Sequence, residues 1–170
     1  MPQELKYRNA QLQDLPSIVA IYNSIVASRQ VTADLEPVTV EQREGWFLEH
    51  RADTRPIWMI ETGNRKTVGW ISFGTFYGRP AYSKTAEISI YLHEDFRGKG
   101  IGFLALAHTI QTAPRLGIET LMGFIFEHNI PSINLFKKSG FQEWGNFPKI
   151  AELDGVKCTL TVMGKSLTPL

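Results

Sequence analysis

One cysteine, Cys158, stands among the 170 residues, so no disulfide can form within the chain. Such a sequence suits a reducing compartment and is expected to be cytoplasmic. No apolar run approaches the roughly 18–20 residues that a membrane-spanning helix requires. Excess charge is missing too. Lys and Arg number 18 against 17 Asp and Glu, a net charge of +1. That is too little to draw the chain to nucleic acid or an anionic membrane, and the basic residues are dispersed rather than gathered. His50, His93, His108 and His128 show no metal-ligand spacing, and no His-Glu-x-x-His occurs, so no metal is expected. Ser72 has Trp70 where a Gly-x-Ser-x-Gly nucleophile elbow needs glycine. The opening Met1-Pro2-Gln3-Glu4 carries an early acid and no apolar core, unlike a secretory signal.

What is present is an ordinary globular composition, 43% hydrophobic and 21% charged. The length suits one domain, residues 1–170, large enough to bury a core without staples. Leu5-Lys6-Tyr7-Arg8 alternates like a short strand. Asp14 is placed to cap a helix with apolar positions at Leu15, Ile18, Val19, Tyr22 and Ile25-Val26. Thr39 with Gln42 forms a capping box opening a second helix through about Leu48. Ile57 to Glu61 and Val68 to Phe73 read as a hairpin turning at Gly63-Asn64, and Thr75 to Lys84 as irregular. A strand over Thr85–Leu92, a helix from Gly100 to about Arg115 and a strand over Leu121–Phe126 follow. A short helix over Pro131–Ser139 ends at Gly140. The last strands are expected at Phe141–Trp144 and Cys158–Met163. This order of elements predicts an α/β domain with a mixed sheet.

The sharpest chemical signal is Arg97-Gly98-Lys99-Gly100-Ile101-Gly102, set between a strand and a helix. Glycines allow a sharp turn and a close approach, and a helix N-terminus points free N–H groups at an anion, so such a loop can cradle a pyrophosphate. Taken alone it is equally compatible with a solvated glycine turn. A dinucleotide fingerprint fails because Phe103 stands where a third glycine belongs. A nucleotide phosphate loop fails because Gly100, not Ser or Thr, follows Lys99. In the strand before it, Ala86, Ile88, Ile90 and Leu92 share one face and Glu87, Ser89 and Tyr91 the other. Glu87 is thus a carboxylate on a strand that otherwise reads as buried; a half-exposed glutamate is the plainer alternative.

Arg97-x-x-Gly100-x-Gly102 resembles the pyrophosphate loop of the GNAT superfamily of acyl-CoA-dependent N-acetyltransferases. Asn129-x-x-Ser132-x-x-Leu135-Phe136-x-x-x-Gly140-Phe141 resembles that superfamily's second cofactor motif. Tyr22-Asn23, Thr32 through Glu36-Pro37, and Arg79-x-x-Tyr82-x-x-Thr85-Ala86-Glu87-x-Ser89-Ile90-Tyr91 are similar to the branch acting on phosphinothricin, methionine sulfoximine and methionine sulfone. The likeness runs from about residue 5 to about residue 165.

The resemblance implies a single GNAT-like α/β domain with a mixed, mostly antiparallel sheet flanked by helices and a CoA cleft between central strands. It implies acetyl transfer from acetyl-CoA to the primary amine of a small amino-acid-like molecule, with both substrates bound together. Glu87 would be the general base, acting directly or through a water. Ile90, Tyr91 and Leu92 would offer backbone to the pantetheine arm and to the developing oxyanion. Arg97, Gly98, Lys99, Gly100, Ile101, Gly102 and Phe103, with Asn129 and Ser132, would hold the rest of the cofactor. Phe76, Arg79 and Tyr82 would contact the acceptor, since a guanidinium suits a carboxylate or phosphinate. Phe73, Phe76 and Trp144 are candidates for an apolar side-chain pocket, with core packing the plainer role of each. The superfamily's thiolate-protonating tyrosine is replaced here by Phe136. A homodimer without nucleic-acid or membrane partners is expected. The readings that compete with it are another amine (a polyamine, an aminoglycoside or a protein N-terminus) and a non-catalytic acyl-CoA sensor.

Overall fold

The computed structural model describes residues 4–168, so the first three residues of the expected non-signal N-terminus lie outside the described residues. The chain runs β1 (Leu5–Asn9), α1 (Leu15–Val26), α2 (Val40–Glu49), β2 (Ile57–Thr62), β3 (Thr67–Thr75) and β4 (Thr85–Leu92), then α3 (Ile101–Thr112), β5 (Thr120–Phe126), α4 (Ile130–Lys138), β6 (Gln142–Leu153) and β7 (Val156–Ser166). The strands form one sheet in the order β1-β2-β3-β4-β5-β7-β6. Neighbours pair antiparallel except β4 and β5, which run parallel.

Period-2 alternation decides which helices cover which face. Ala86, Ile88, Leu121 and Met163 pack with Ile101, Ala105 and Leu106 of α3 and with Ile133 and Phe136 of α4. On the opposite face Met59 and Trp70 pack with Leu15, Ile18, Val19 and Tyr22 of α1, while Trp46 and Phe47 of α2 and Tyr91 close the layer. Trp70 also donates its indole N–H to the Ile18 carbonyl at 3.1 Å.

Two sequence expectations change. Asp14 does not cap α1 with its side chain. It closes a 3-10 turn over Leu12–Asp14, accepting from the Gln11 N–H at 2.8 Å and from Arg8 at 2.7 and 2.9 Å. The predicted capping box of Thr39 and Gln42 does open α2. The last strands are far longer than expected, because β6 and β7 form one hairpin turning at Asp154-Gly155. Both turn residues have positive φ (50° and 80°), the geometry a two-residue hairpin turn demands. Asp-Gly was the available signal. Pro148 and register shifts at Glu143/Gly145 and Phe147/Ala151 break the alternation that would have revealed the strand.

The parallel pair is short: it holds only for Thr85↔Thr120, Ala86↔Leu121 and Glu87↔Met122. Beyond that row the two strands part. Where they part, Gly123 faces α4, and a Cβ there would come within 2.5 Å of Phe136 Cε1. The buried Phe136 ring occupies the space a side chain would take. Gly123→Ala is therefore expected to cost ~1–3 kcal/mol through overpacking. The loss should appear in urea unfolding, and pairing the change with Phe136→Leu should recover part of it.

Candidate active site

Parting leaves β4 residues 88–92 without a β5 partner, although β3 pairs with them along their other edge. Their outward backbone groups are interior strand-edge groups, which seek an extended partner. They open on a cleft lined by Ser89, Ile90, Tyr91, Phe124, Asn129, Ser132 and Phe136. Asn129 caps α4, accepting from the Ser132 N–H at 3.3 Å.

At the cleft's outer end, Gly100 begins α3 with φ of 78° and no side-chain cap. Glycine alone adopts that angle freely, and the first N–H groups of α3 stay available to an anion. Gly98 and Gly100 are exposed, and nothing lies within 4 Å of a Cβ placed on either. Gly102 faces Leu135, whose Cδ2 a Cβ would meet at 3.2 Å. The side chains nearby are engaged locally. Arg97 donates to the Leu92 carbonyl at 3.0 Å and to Ser24 Oγ at 2.7 Å, tying the loop to α1. Lys99 donates to the Asp95 carbonyl at 2.7 Å. Phe103 lies under Lys138, whose Nζ is 4.9 Å from the ring centroid. Ile101 is buried in the core. The unpaired β4 edge and the bare N-terminus of α3 fit an extended arm ending in a pyrophosphate, the two parts of acetyl-CoA.

Glu87 sits in the last paired row, where the cleft begins. Its neighbours are Gly74 on β3 and Met122 on β5. The carboxyl has no hydrogen-bond or ion-pair partner among the described residues, and burial holds its pKa above the ordinary carboxylate range. An aromatic cluster forms around Phe124. Phe76 stacks on Phe124 with centroids 6.4 Å apart and meets Tyr82 edge-on at 5.5 Å. Phe124 shares a face with Met122 and Glu87. Further along β4, Tyr91 packs on Trp70 at 4.6 Å and meets Tyr22 edge-on at 5.3 Å; its hydroxyl is buried and its pKa is raised. The Tyr22 hydroxyl donates to the Asp34 carboxylate and lies against the Thr32 hydroxyl, while Arg43 donates to Asp34 at 2.9 Å. These contacts fasten the α1–α2 loop beside the site.

Phe76 and Tyr82 gather with the cleft-lining Phe124, which shares a β5 face with Met122, the strand neighbour of Glu87. Arg79 is exposed, and its side chain makes no hydrogen bond or ion pair among the described residues, while its carbonyl accepts from the Tyr82 N–H at 2.9 Å. The segment carrying it is anchored by Arg55, which donates to the carbonyls of Ser83 at 2.6 Å and Thr85 at 3.2 Å. Sequence reading missed that anchor, for a lone arginine between two loops gives no signal. Phe73 is fully buried on the α3 side and is core; Trp144 is half exposed on the Glu87 side. The histidines are occupied elsewhere: His108 stacks on Tyr7, the His50 ring meets the Trp46 carbonyl, and His128 meets that of Arg29. No three His, Cys, Asp or Glu side chains converge among the described residues, and no described helix is long and apolar enough to cross a membrane.

Comparison with known proteins agrees with this geometry. The family model described as "Acetyltransferase (GNAT) domain" matches residues 4–142. A Bacillus subtilis (strain 168) protein named "Putative phosphinothricin acetyltransferase YwnH" is 55% identical over 95% of this chain and 98% of its own. The L-methionine sulfoximine/L-methionine sulfone acetyltransferase of Pseudomonas paraeruginosa is 31% identical over 95% of this chain and 94% of its own. The crystal structure of a GNAT superfamily phosphinothricin acetyltransferase from Sinorhizobium meliloti in complex with AcCoA superposes with a TM-score of 0.87 at 25% identity, covering 95% of this chain and 88% of that one.

Burial of Glu87 has a consequence for stability. A carboxyl whose pKa is higher folded than unfolded contributes stability in full below the ordinary carboxylate range, and that contribution is lost as pH rises through the raised value. A neutral amide escapes the loss. Glu87→Gln should therefore melt at a higher temperature than wild type at pH 7, with the gain shrinking toward zero near pH ~4. Thermal melts at the two pH values check it, and a pH-independent difference would contradict it.

Proposed function

The chain belongs to the GNAT acetyltransferase domain family, and from that membership we propose that it acetylates the α-amino group of a small amino-acid-like acceptor. Phosphinothricin, methionine sulfoximine and methionine sulfone represent the type. The enzyme is an acetyl-CoA-dependent N-acetyltransferase. One observation carries the reading: β4 and β5 part immediately after an unpartnered, half-buried Glu87.

Bound acetyl-CoA supplies the acyl group on a thioester. The backbone of Ile90, Tyr91 and Leu92 pairs with the pantetheine arm, and an N–H of that stretch faces the carbonyl oxygen as charge develops on it. The N–H groups opening α3, from Gly98 to Phe103 with Arg97 and Lys99 beside them, receive the pyrophosphate. Asn129 and Ser132 border the arm from α4. Glu87 removes the proton from the acceptor's ammonium group, directly or through one water, and its raised pKa brings it nearer the value that proton transfer at neutral pH favours. Phe136 carries no proton, so it does not serve the departing thiolate.

Phe76 and Tyr82 line the acceptor side, and Arg79 at its rim reads the acceptor's carboxylate. The aromatic lining and the free guanidinium favour an anionic amino acid over a polyamine or aminoglycoside, which would call for an acidic pocket. A non-catalytic acyl-CoA sensor would have no use for an unpaired buried carboxylate, which costs stability. The long edge strand β6, exposing Phe147 and Ile150, supports a homodimer. A single, buried cysteine supports a cytoplasmic setting.

Replacing Glu87 by Gln should lower kcat by ~10²–10⁴ while leaving acetyl-CoA affinity intact, with partial recovery at higher pH as the free amine grows. Wild-type rates from pH 7 to 9 would remove Glu87 from the mechanism. The acceptor class is tested at Arg79. A charge-assisted contact of this kind typically contributes ~1.5–3 kcal/mol, about 10- to 150-fold. Arg79→Ala should raise KM for methionine sulfone by that factor and spare both acetyl-CoA and a simple amine without a carboxylate. Equal losses for both acceptors would refute the carboxylate-reading role.

A further inference from the structure

A bulge in β6 sets one large ring on the face that carries Glu87. Pairing with β7 shifts between Glu143 and Gly145, leaving Trp144 without an opposite residue. Bulges of this kind re-aim a side chain and recur beside active sites. The Trp144 indole lies directly over Gly164. A Cβ at Gly164 would fall on Cε3, Cδ2 and Cζ3 of the ring, so the indole needs a glycine beneath it.

Gly164 is no arbitrary platform. It pairs with Met122, Met122 with Glu87, and Glu87 with Gly74, so the four form one row across the sheet with their side-chain directions on a common face. Two strand spacings put Gly164 roughly 10 Å from Glu87. Met122 floors the interval, and its side chain is buried. The row thus runs from a half-buried carboxylate, across a thioether, to a tryptophan held over a glycine. Trp144 remains 48% exposed, so its face is open to a ligand.

We propose that Trp144 determines acceptor specificity by forming the far wall of the acceptor pocket and packing against the end of the acceptor's side chain. An α-amino group delivered to Glu87 leaves the α-carbon and an unbranched four-atom side chain to extend roughly 6–7 Å along the row. Adding a contact of about 3.5–4 Å brings the chain end to the indole. A methyl group on a sulfone, sulfoximine or phosphinyl centre is polarised, and its partly positive hydrogens suit the negative face of an aromatic ring. The pocket is accordingly built for unbranched amino acids ending in such a methyl, and short amino acids leave the wall untouched. This inference rests on the amino-acid reading of the preceding subsection and adds the part of the acceptor that is read.

The test compares L-methionine sulfone with L-alanine as acceptors, following thiol release with saturating acetyl-CoA and calorimetric binding of each acceptor to the CoA-loaded enzyme. Trp144→Ala should lower kcat/KM and affinity for methionine sulfone about tenfold or more, the loss expected for an apolar contact of this size. Alanine and the KM of acetyl-CoA should be unchanged. Trp144→Phe should restore much of the preference. Gly164→Ala, which displaces the ring without removing it, should reproduce the loss. A parallel loss for both acceptors, with or without a change in oligomeric state, would assign Trp144 to the scaffold or a subunit contact and overturn the proposal. An unchanged preference would overturn it as well. The wild-type arm stands apart: turnover with neither amino acid would reject the amino-acid reading itself, and this inference with it.

Discussion

Everything at the site depends on where the parallel pairing of β4 and β5 stops. A parallel pair in mid-sheet ordinarily continues to the strand ends, because each buried N–H and C=O must find a partner. Here three registered residues on each strand suffice, and the strands diverge at Gly123. Phe136 occupies the place of a Gly123 side chain. Backbone groups from Ile88 to Leu92 are thereby left facing a cleft in the middle of the sheet. Those groups are free to pair with an extended ligand, and the α3 N-terminus beyond Leu92 offers its first N–H groups to an anion.

The same divergence explains the electrostatics of Glu87. Pairing through its row fixes its backbone between Gly74 and Met122, and Phe124 follows Met122 on the same face of β5. No cation pairs with it, so desolvation acts unopposed and raises its pKa. A neighbouring Arg would hold the carboxylate ionised and make it a weaker base. Cations on this side are kept at a distance instead. Arg43 is committed to Asp34, Arg97 to the Leu92 carbonyl and Ser24, and Arg55 to the 83–85 backbone.

The sequence made the central elements legible because their signals are local. A strict alternation from Thr85 to Leu92 places Glu87 opposite the core residues Ala86 and Ile88, and the glycine pattern at 98–102 marks the helix start. Local signals fail where tertiary contacts decide. Asp14 has the composition of a helix cap, yet Arg8 and the Gln11 N–H claim its carboxylate. The β6–β7 hairpin stayed hidden because bulges and Pro148 disrupt its period, and its exposed edge removes the hydrophobic contrast. Glycines at 123 and 164 look alike in sequence. Only the fold reveals that each lies beneath an aromatic ring from another element.

Those two glycines act on opposite faces of the sheet, and the division of labour follows from β-strand alternation. Gly123 points toward α4, where it admits Phe136. Gly164, paired with Met122, points the other way and admits Trp144 on the face that carries Glu87. A side chain at either position would close the space its aromatic partner now uses. The row that carries Glu87 ends at Gly164 and runs beside Gly123, so neither ring need touch Glu87 to lie near it. A glycine's missing atom is thus as specific a determinant here as a charged side chain, because in a close-packed sheet the volume it vacates can be filled in only one way.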